Sequence, residues 1–298
     1  MTTILYGRPP AVFDPPADAV QTSPLIPGSA DLAEMAPGSL DAATILAPPG
    51  VLERRHVLAL ALRALKPGGR LDVMAPKQKG GARLGKELRD FGLEPVQTSK
   101  AHHRRCQVIR PDRVTGLDAA VETGAPRFVP GLDAWSQPGV FGWDRIDGGT
   151  TLLAARLPPM KGAGADLGCG FGALATAVLA SPGVTTLDLI DLDRRAVQAA
   201  RRNIEDSRAR FHWTDARTAA LTDLDFVVMN PPFHDGGAED KALGQAFIRK
   251  AASALRKGGV LWMVANRHLP YEAVLESAFA RVRPVADEGG YKVFEAVK

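Results

Sequence analysis

The chain has 298 residues, a formal net charge of +4 and a hydrophobic fraction of 45%. This composition is typical of folded globular proteins and excludes disordered and collagen-like classes, and the length suffices for two domains. The longest apolar stretch of the first half, residues 57–62, is far shorter than the roughly 18 residues that a membrane span needs. No basic segment precedes an apolar core at the amino terminus, so we expect a cytoplasmic protein without a membrane partner. We also expect a monomer. Cys106 and Cys169 lie outside any Cys-x-x-Cys or Cys/His cluster, so no disulfide framework or metal site is predicted.

Positive charge is concentrated in one part of the chain. Residues 1–50 contain one base and five acids, whereas residues 51–113 contain fifteen bases and six acids, a net charge of +9. Such a region can neutralise several phosphates of an RNA, but an ordinary solvated basic face has the same composition. Its main bases and histidines are Lys77, Lys79, Arg83, Lys86, Arg89, Lys100, His102, His103, Arg104, Arg105, Arg110 and Arg113.

The first half of the chain predicts a small α/β domain. Residues 8–50 are rich in proline and glycine, with short apolar pieces such as 42–46 that predict strands between turns. Helical spacing covers Val51 to Leu65, Pro67-Gly68-Gly69 ends that helix, and a strand follows from Arg70 to Ala75. Residues 114–139 show little periodicity and many glycines and prolines, so we place the connection between domains there. The predicted domains are 1–125 and 126–298.

From about residue 140 the pattern alternates between strands and helices. This alternation predicts a doubly wound, mostly parallel sheet with helices on both faces. The predicted strands are 163–167, 185–190, 225–229, 260–264 and 291–297, and the predicted helices are 173–180, 194–204, 242–255 and 271–279.

The two halves share an internal similarity. Residues 61–76 align with residues 251–266 through a shared Gly-Gly and several alanines and leucines, and residues 40–50 lie opposite 224–233 with one residue of slack. A duplication explains this; the alternative is a coincidence between two helix-Gly-Gly-strand units.

A glycine-rich turn joins the first strand of the second half to the following helix. Gly168 and Gly170 let a ligand approach the backbone at the helix amino terminus. The same turn also fits the pattern of nicotinamide and flavin enzymes. However, the carboxylate of Asp166 would repel a pyrophosphate and attract an ammonium, which favours S-adenosylmethionine.

Two further acids follow the next strands. Asp191 ends the second strand, where an acid accepts hydrogen bonds from ribose hydroxyls in doubly wound nucleoside-binding folds. Asp215, in the segment 212–216 between the predicted strands 185–190 and 225–229, would follow the third strand of such a fold and is a candidate acceptor for an adenine amino group. Each of them is also explained as a surface acid after a strand.

The tetrapeptide Asn230-Pro231-Pro232-Phe233 follows a buried strand at its carboxyl end, where α/β sheets place their active sites. An exocyclic amine on a base is a poor nucleophile because its lone pair is delocalised into the ring. The Asn230 side-chain oxygen and the Pro231 carbonyl are placed to accept its two hydrogens and to aim the lone pair at a methyl group. Pro232 stiffens the loop, and Phe233 is a candidate to stack on the base. Without a catalytic role, the tetrapeptide would be a proline-stiffened loop.

Together these motifs give the second half a resemblance to a known family. The motifs that carry it are PGVF at 138–141, DLGCGFGAL at 166–174, NPPFHDG at 230–236, ANRHLPY at 265–271 and YKVF at 291–294. With these motifs the second half resembles the catalytic half of the bacterial ribosomal RNA guanine-N2 methyltransferases, most closely those that modify 16S RNA. The resemblance implies a class I methyltransferase fold, S-adenosylmethionine as the donor, a guanine N2 as the acceptor and an amino-terminal domain that is a degenerate methyltransferase copy.

The resemblance and the repeat together assign roles to the two domains. The first copy carries Ala47-Pro48-Pro49-Gly50 in place of the tetrapeptide and no Asp-x-Gly-x-Gly turn, so we expect it to be inactive and to dock ribosomal RNA or the small subunit through residues 51–113. Three alternatives stay open. They are methylation of another planar amine (a 23S guanine, adenine N6 or protein glutamine), a nicotinamide-dependent oxidoreductase, and a noncatalytic RNA-binding assembly factor.

Overall fold

The computed structural model describes residues 2–232, 234–235, 238–239 and 241–298. The chain divides into two compact units, Met1–Ala125 and Pro126–Lys298, called unit 1 and unit 2 below. In the part of the chain that is described, no helix is long and apolar enough to cross a membrane.

Unit 1 contains one mixed sheet with helices on one face. Its six strands lie in the order β2-β1-β3-β4-β6-β5, with β1 to β4 parallel and β5 and β6 antiparallel to their neighbours. The strands are β1 (Thr3–Tyr6), β2 (Val20–Gln21), β3 (Leu40–Leu46), β4 (Leu65–Pro76), β5 (Val96–Lys100) and β6 (His103–Ile109), and the helices are α1 (Val51–Ala64), α2 (Leu84–Asp90) and α3 (Leu117–Gly124).

The core of unit 1 lies between one face of this sheet and α1. Ala43, Ile45 and Val73 alternate with residues of the opposite face and pack with the helix residues Leu58 and Leu62 in one apolar cluster. Helix α3 packs on α1, so the region 114–139, which we expected to be a connection, includes a helix that belongs to this core. The apolar residues of that helix were too few to show its period in the sequence.

Unit 2 contains a seven-stranded sheet in the order β11-β10-β9-β12-β15-β17-β16. The first five strands are parallel, and β16 and β17 are antiparallel to their neighbours. The strands of unit 2 are β7 (Arg127–Val129), β8 (Ala134–Ser136), β9 (Lys161–Leu167), β10 (Gly183–Asp191), β11 (Ala209–Trp213), β12 (Leu224–Met229), β13 (His234–Asp235), β14 (Ala238–Glu239), β15 (Leu255–Asn266), β16 (Arg281–Glu288) and β17 (Tyr291–Val297), and the helices are α4 (Gly148–Ala154), α5 (Ala173–Leu179), α6 (Arg194–Asn203), α7 (Lys241–Ala254) and α8 (Glu272–Ala278).

Two apolar layers cover the two faces of this sheet. Val227 and Met229 belong to the layer that includes α7 and α8, whereas Phe226 and Val228 belong to the layer that includes α5. This alternation along β12 is the period of two expected of a strand. The prediction of a parallel sheet covered on both faces is therefore confirmed.

The sequence predictions missed α4 and β16 and made β15 too short. The pattern predicted a strand over 260–264, but β15 already starts at Leu255 and passes through the Gly-Gly as an irregular extension. A Cβ at Gly259 would lie 2.8 Å from the carbonyl oxygen of Leu224, so only glycine permits this close approach.

The internal repeat appears in the backbone. α1 and α7 have 14 residues each, and β4 and β15 have 12 residues each. The strand pairing repeats as well. In unit 1, Leu40 pairs with Leu65 and, after one irregularity, Ala42 pairs with Arg70. In unit 2, Leu224 pairs with Leu255 and, after the same kind of irregularity, Phe226 pairs with Val260. The sheet of unit 1 thus has the strand order of unit 2 without an equivalent of β11.

Candidate active site

The carboxyl ends of β9, β10, β11 and β12 lie side by side at one edge of the unit 2 sheet. The sequence placed its candidate residues at or just after these four ends. The parallel order of the strands therefore brings Asp166, Asp191 and Asn230 to one edge, with Asp215 following β11.

Asp166 is a buried carboxyl at the end of β9. It is 1% exposed, and no hydrogen bond of normal geometry reaches either of its oxygens from the described residues. Burial, with a smaller contribution from the charge of Asp191, raises the pKa of Asp166 to about 8. A buried carboxyl without partners costs free energy, so this position is suited to a cationic ligand.

The glycine turn follows Asp166 and is shaped by its neighbours. Gly168 and Gly170 have φ values of 79° and 55°, the left-handed region that favours glycine. The Gly170 amide donates to the Asp191 carboxylate at 2.9 Å. A Cβ at Gly170 would meet no atom within 4 Å, so the turn has an open side on which a ligand could lie.

Asp191 holds this turn together. Its other oxygen accepts from the backbone amide of Asp193 at 2.8 Å, and burial raises the pKa of Asp191 to about 6. Each oxygen of a carboxylate has two acceptor positions, so these backbone contacts leave capacity to accept further hydrogen bonds.

Asp215 lies near Asp191 but is already paired. The backbone amide of Thr214 donates to the Asp191 carbonyl at 3.0 Å, which holds the two segments together. Both Asp215 oxygens accept from Arg217, at 2.9 and 2.6 Å, and these hydrogen bonds lower the pKa of Asp215. A ligand would therefore have to share this carboxylate with Arg217.

The side chain of Asn230 is held at its nitrogen. Its Nδ2 donates to Asp147 Oδ2 at 3.0 Å and to Thr150 Oγ1 at 2.9 Å. Asp147 is the N-cap of α4, where it also accepts from the Thr150 amide at 3.0 Å. An N-cap acid before Gly-Gly-Thr-Thr was the one sequence signal that could have found this helix.

The tetrapeptide and the glycine turn share one pocket. A Cβ at Gly168 would lie 3.9 Å from Pro232 Cδ, and Pro231 is buried. Phe233 lies outside the described residues. The residues that line the pocket are Phe141, Gly142, Ile146, Asp147, Thr150, Gly168, Cys169, Gly170, Phe171, Ala173, Leu174 and Asn230.

Residues 131–295 match the family model of the methyltransferase small domain. The chain is similar to the ribosomal RNA small subunit methyltransferase C of Shewanella halifaxensis (strain HAW-EB4), with 29% identity over 270 residues, 87% of this chain and 78% of the relative. It is 33% identical to the same enzyme of Shewanella baltica (strain OS155 / ATCC BAA-1091) over 257 residues, 80% of this chain and 71% of the relative. The chain belongs to the ribosomal RNA small subunit methyltransferase C family.

Membership of this family agrees with a comparison of folds. The T. thermophilus 16S rRNA N2 G1207 methyltransferase (RsmC), solved in complex with AdoMet and guanosine, matches with a TM-score of 0.80 and 26% identity, covering 100% of this chain and 88% of that chain. The class I methyltransferase fold that we predicted from the motifs is confirmed. The family assignment, made from the motifs of the second half, is confirmed as well.

Proposed function

We propose that this chain transfers a methyl group from S-adenosylmethionine to the exocyclic N2 of a guanine in 16S ribosomal RNA. The observation that carries the proposal is that both hydrogens of the Asn230 amide nitrogen are held within the protein, which leaves the carbonyl oxygen for a substrate in a residue that lines one pocket with the glycine turn. Its relatives are named as small-subunit RNA methyltransferases, and the similar T. thermophilus enzyme was solved with AdoMet and guanosine.

The residues of unit 2 fit this donor. The partnerless carboxyl of Asp166 suits the ammonium of the methionine part, and the open turn at Gly168 and Gly170 admits it next to the backbone. Asp191 would accept from the ribose hydroxyls, and Asp215 would receive the adenine amino group if Arg217 shares the carboxylate. A nicotinamide dinucleotide fits less well, because its pyrophosphate would oppose ionisation of Asp166, whereas the ammonium of the methionine part would favour it.

S-adenosylmethionine supplies an electrophilic methyl group at this site, and the chain must activate the amine that attacks it. Asn230 Oδ1 and the Pro231 carbonyl would accept the two hydrogens of guanine N2. These hydrogen bonds favour a pyramidal nitrogen whose lone pair points at the methyl carbon, and they strengthen as positive charge develops on the nitrogen. As the nitrogen–carbon bond forms, the carbon–sulfur bond of the sulfonium would break and the amine would become more acidic, so one of its protons passes to solvent and no strong general base is required.

The guanine must leave its stack to reach this pocket. Unstacking costs a few kcal/mol, and stacking on an aromatic ring returns about 1 to 3 kcal/mol per base. We assign that stacking to Phe233, next to Pro232 in the sequence.

For unit 1 we propose that its basic region docks the RNA. Three exposed bases recur at every third residue from the N-cap of α2 onwards, namely Arg83, Lys86 and Arg89. Leu84 and Leu88 of the same helix are buried. No described carboxylate forms a salt bridge with these three bases, which we call the α2 stripe. Unpaired, closely spaced bases attract phosphates and release counterions on binding.

The test uses purified protein, methyl-labelled donor, and both naked 16S RNA and small subunits from a strain that lacks the gene. Digestion of the product to nucleosides should give labelled N2-methylguanosine, and mapping then locates the modified nucleotide. Labelled N6-methyladenosine, or label only in protein, would contradict the guanine assignment. RNA binding without any transfer would support the noncatalytic assembly factor instead.

A further inference from the structure

We infer that Asp147 is a positioning residue that, together with Thr150, orients and polarises the amide of Asn230 for the methyl acceptor. This inference rests on the proposed function, because it concerns the residue that receives the substrate amine. It assigns a role to a segment, 147–150, that none of the sequence motifs singled out.

The contacts of Asn230 define which atom faces the pocket. An amide nitrogen has two hydrogens, and here one goes to Asp147 Oδ2 at 3.0 Å and the other to Thr150 Oγ1 at 2.9 Å. Both donors of Asn230 are therefore used within the protein. The carbonyl oxygen Oδ1 is the atom that remains to accept hydrogens from a substrate.

The choice between the two ends of the amide follows from chemistry. A carboxylate has no proton to give and accepts only, so the atom of Asn230 that lies 3.0 Å from Asp147 Oδ2 must be the nitrogen. The reverse orientation would place two oxygens against each other and would present donors to an amine that also donates. Asp147 thus excludes the unproductive orientation.

The charge of Asp147 also changes the strength of Oδ1 as an acceptor. Hydrogen bonds to an ionised partner are stronger than those between neutral groups, and bonds in a chain polarise one another. Donation from Nδ2 to the carboxylate shifts electron density of the amide towards Oδ1. The negative charge of Asp147 then stabilises the positive charge that develops on the guanine nitrogen. No proton has to move along the hydrogen bond between Asn230 and Asp147.

The side chain of Asp147 is itself positioned by a hydrogen bond from a residue of the sheet. Tyr291, at the start of β17, donates its hydroxyl to Asp147 Oδ1 at 3.2 Å. The tyrosine ring lies so close to α4 that a Cβ at Gly149 would be 2.8 Å from Tyr291 Cδ1, which accounts for the glycine at this point. Burial, followed by the charge of Asp147, raises the pKa of Tyr291, so the hydroxyl keeps its proton at neutral pH.

Unit 1 lacks this arrangement. The ladder register places Leu46 at the position of Asn230 and His103 at that of Tyr291. A leucine needs no carboxylate to orient it. The supporting carboxylate of Asp147 is therefore found only in unit 2, where Asn230 needs to be oriented.

The decisive variants are Asp147→Asn and Thr150→Val, assayed as full-length protein with 16S RNA or small subunits under saturating donor. Asp147→Asn retains an N-cap side chain but removes the charge, and we expect kcat to fall about tenfold to a hundredfold, the effect of a lost charged hydrogen bond. Thr150→Val should lower kcat less, by about fivefold to twentyfold, and Thr150→Ser should restore it. The donor Kd and the RNA KM should change less than twofold, because both residues, although they line the pocket, act through the amide of Asn230.

Thr151→Val is the matched control. Thr151 is the same residue type on the same helix, but its hydroxyl bonds the Asp147 backbone carbonyl at 3.2 Å and lies on the exposed side. It should leave kcat within twofold. Wild-type kcat in Asp147→Asn and Thr150→Val, or equal losses in kcat and in donor affinity, would overturn the inference. An inactive wild-type protein would instead overturn the proposed function.

Discussion

Unit 1 and unit 2 share a backbone framework but differ at the positions that carry chemistry. The ladder register places Leu5 of unit 1 at the position of Asp166, and Leu46 at that of Asn230. Gly7 stands where unit 2 has Gly168, and both have a φ of 79°. The comparison teaches that the backbone turn persists in unit 1 without the carboxylate and the amide that accompany it in unit 2.

The proline loops differ in what occupies their carbonyls. In unit 1 the Arg54 guanidinium donates to the Pro48 and Pro49 carbonyl oxygens at 3.0 and 2.7 Å, and it pairs with Glu87 through two hydrogen bonds of 2.7 Å. Arg54 is fully buried. In unit 1 the protein itself thus occupies two carbonyl oxygens of the proline loop, immediately after Ala47, which the ladder register places opposite Pro231.

The two units place a large side chain and a glycine at opposite positions beside the proline loop. Gly244 of α7 takes the place of Arg54 of α1 and packs against the buried ring of Tyr271, whereas Arg54 packs against Gly80. In each unit one large side chain fills the volume beside the loop, from the helix in unit 1 and from the following segment in unit 2.

The largest effect should come from removing the cap of unit 1. Arg54→Ala leaves Glu87 buried without its partner, which typically costs 3–5 kcal/mol, so we expect about that loss in the free energy of unfolding of unit 1. Chemical denaturation followed by a probe in unit 1 measures it. The control is Arg55→Ala, because the ion pair of Arg55 with Asp90 is partly exposed. Loss of this pair should lower the free energy of unfolding by about 1 kcal/mol or less. Equal losses in both variants would show that the cap is not a structural element.

The next largest effect should come from removing the side-chain amide of Asn230, which has no counterpart at the equivalent position of unit 1. Asn230→Ala should lower kcat for methyl transfer by about a hundredfold to a thousandfold, the usual result of removing one group that stabilises developing charge. The donor Kd should stay nearly unchanged, because Asp166 and the glycine turn are intact. Single-turnover transfer and calorimetry separate the two quantities, and substantial activity in this variant would show that Asn230 does not have the assigned role.

A pH-dependent effect is expected at Asp166. Its pKa of about 8 lies above the ordinary value of 3.8, so this carboxyl stabilises the donor-free fold at low pH and loses that contribution as the pH rises through 8. Asp166→Asn should therefore raise the Tm of the donor-free protein relative to wild type at pH 9, and the gain should vanish near pH 4. Thermal unfolding across this range tests the sign, and a variant that is less stable at pH 9 would contradict the assignment.

The smallest effect concerns RNA docking by the α2 stripe. Lys86→Gln should weaken binding to 16S RNA about equally at all sequences and lower the slope of log K against log salt by a little less than one. Lys257→Gln, an exposed base of unit 2, serves as control and should leave the slope unchanged. Equal affinities and equal salt slopes for the two variants would show that the α2 stripe is an ordinary solvated surface.

The sequence predicted the alternating elements of unit 2 well, because its strands and helices carry clear apolar periods. It also predicted that Asp166, Asp191 and Asn230 lie at or just after the carboxyl ends of strands, and the structure has them there. It missed α4, since Gly148 and Gly149 are poor helix formers and the helix depends on the Asp147 cap. The contacts of Asp147 with Asn230 and Tyr291 join residues that are 83 and 144 positions apart, and no local pattern shows them.

The repeat was recognised from the sequence, but its register at the loop was not. The sequence placed Ala47-Pro48-Pro49 opposite the start of the tetrapeptide 230–233, whereas the ladders place Leu46 opposite Asn230 and Ala47 opposite Pro231. The pairing of backbone hydrogen bonds sets this register, and similarity between two short proline motifs does not.

Donor binding to the intact chain tests most directly whether one unit alone carries a working site. Equilibrium dialysis with labelled S-adenosylmethionine should give one bound donor per chain for the wild type and none for Asp166→Asn. Two donors per wild-type chain, or one retained by Asp166→Asn, would contradict the assignment of the donor site to unit 2.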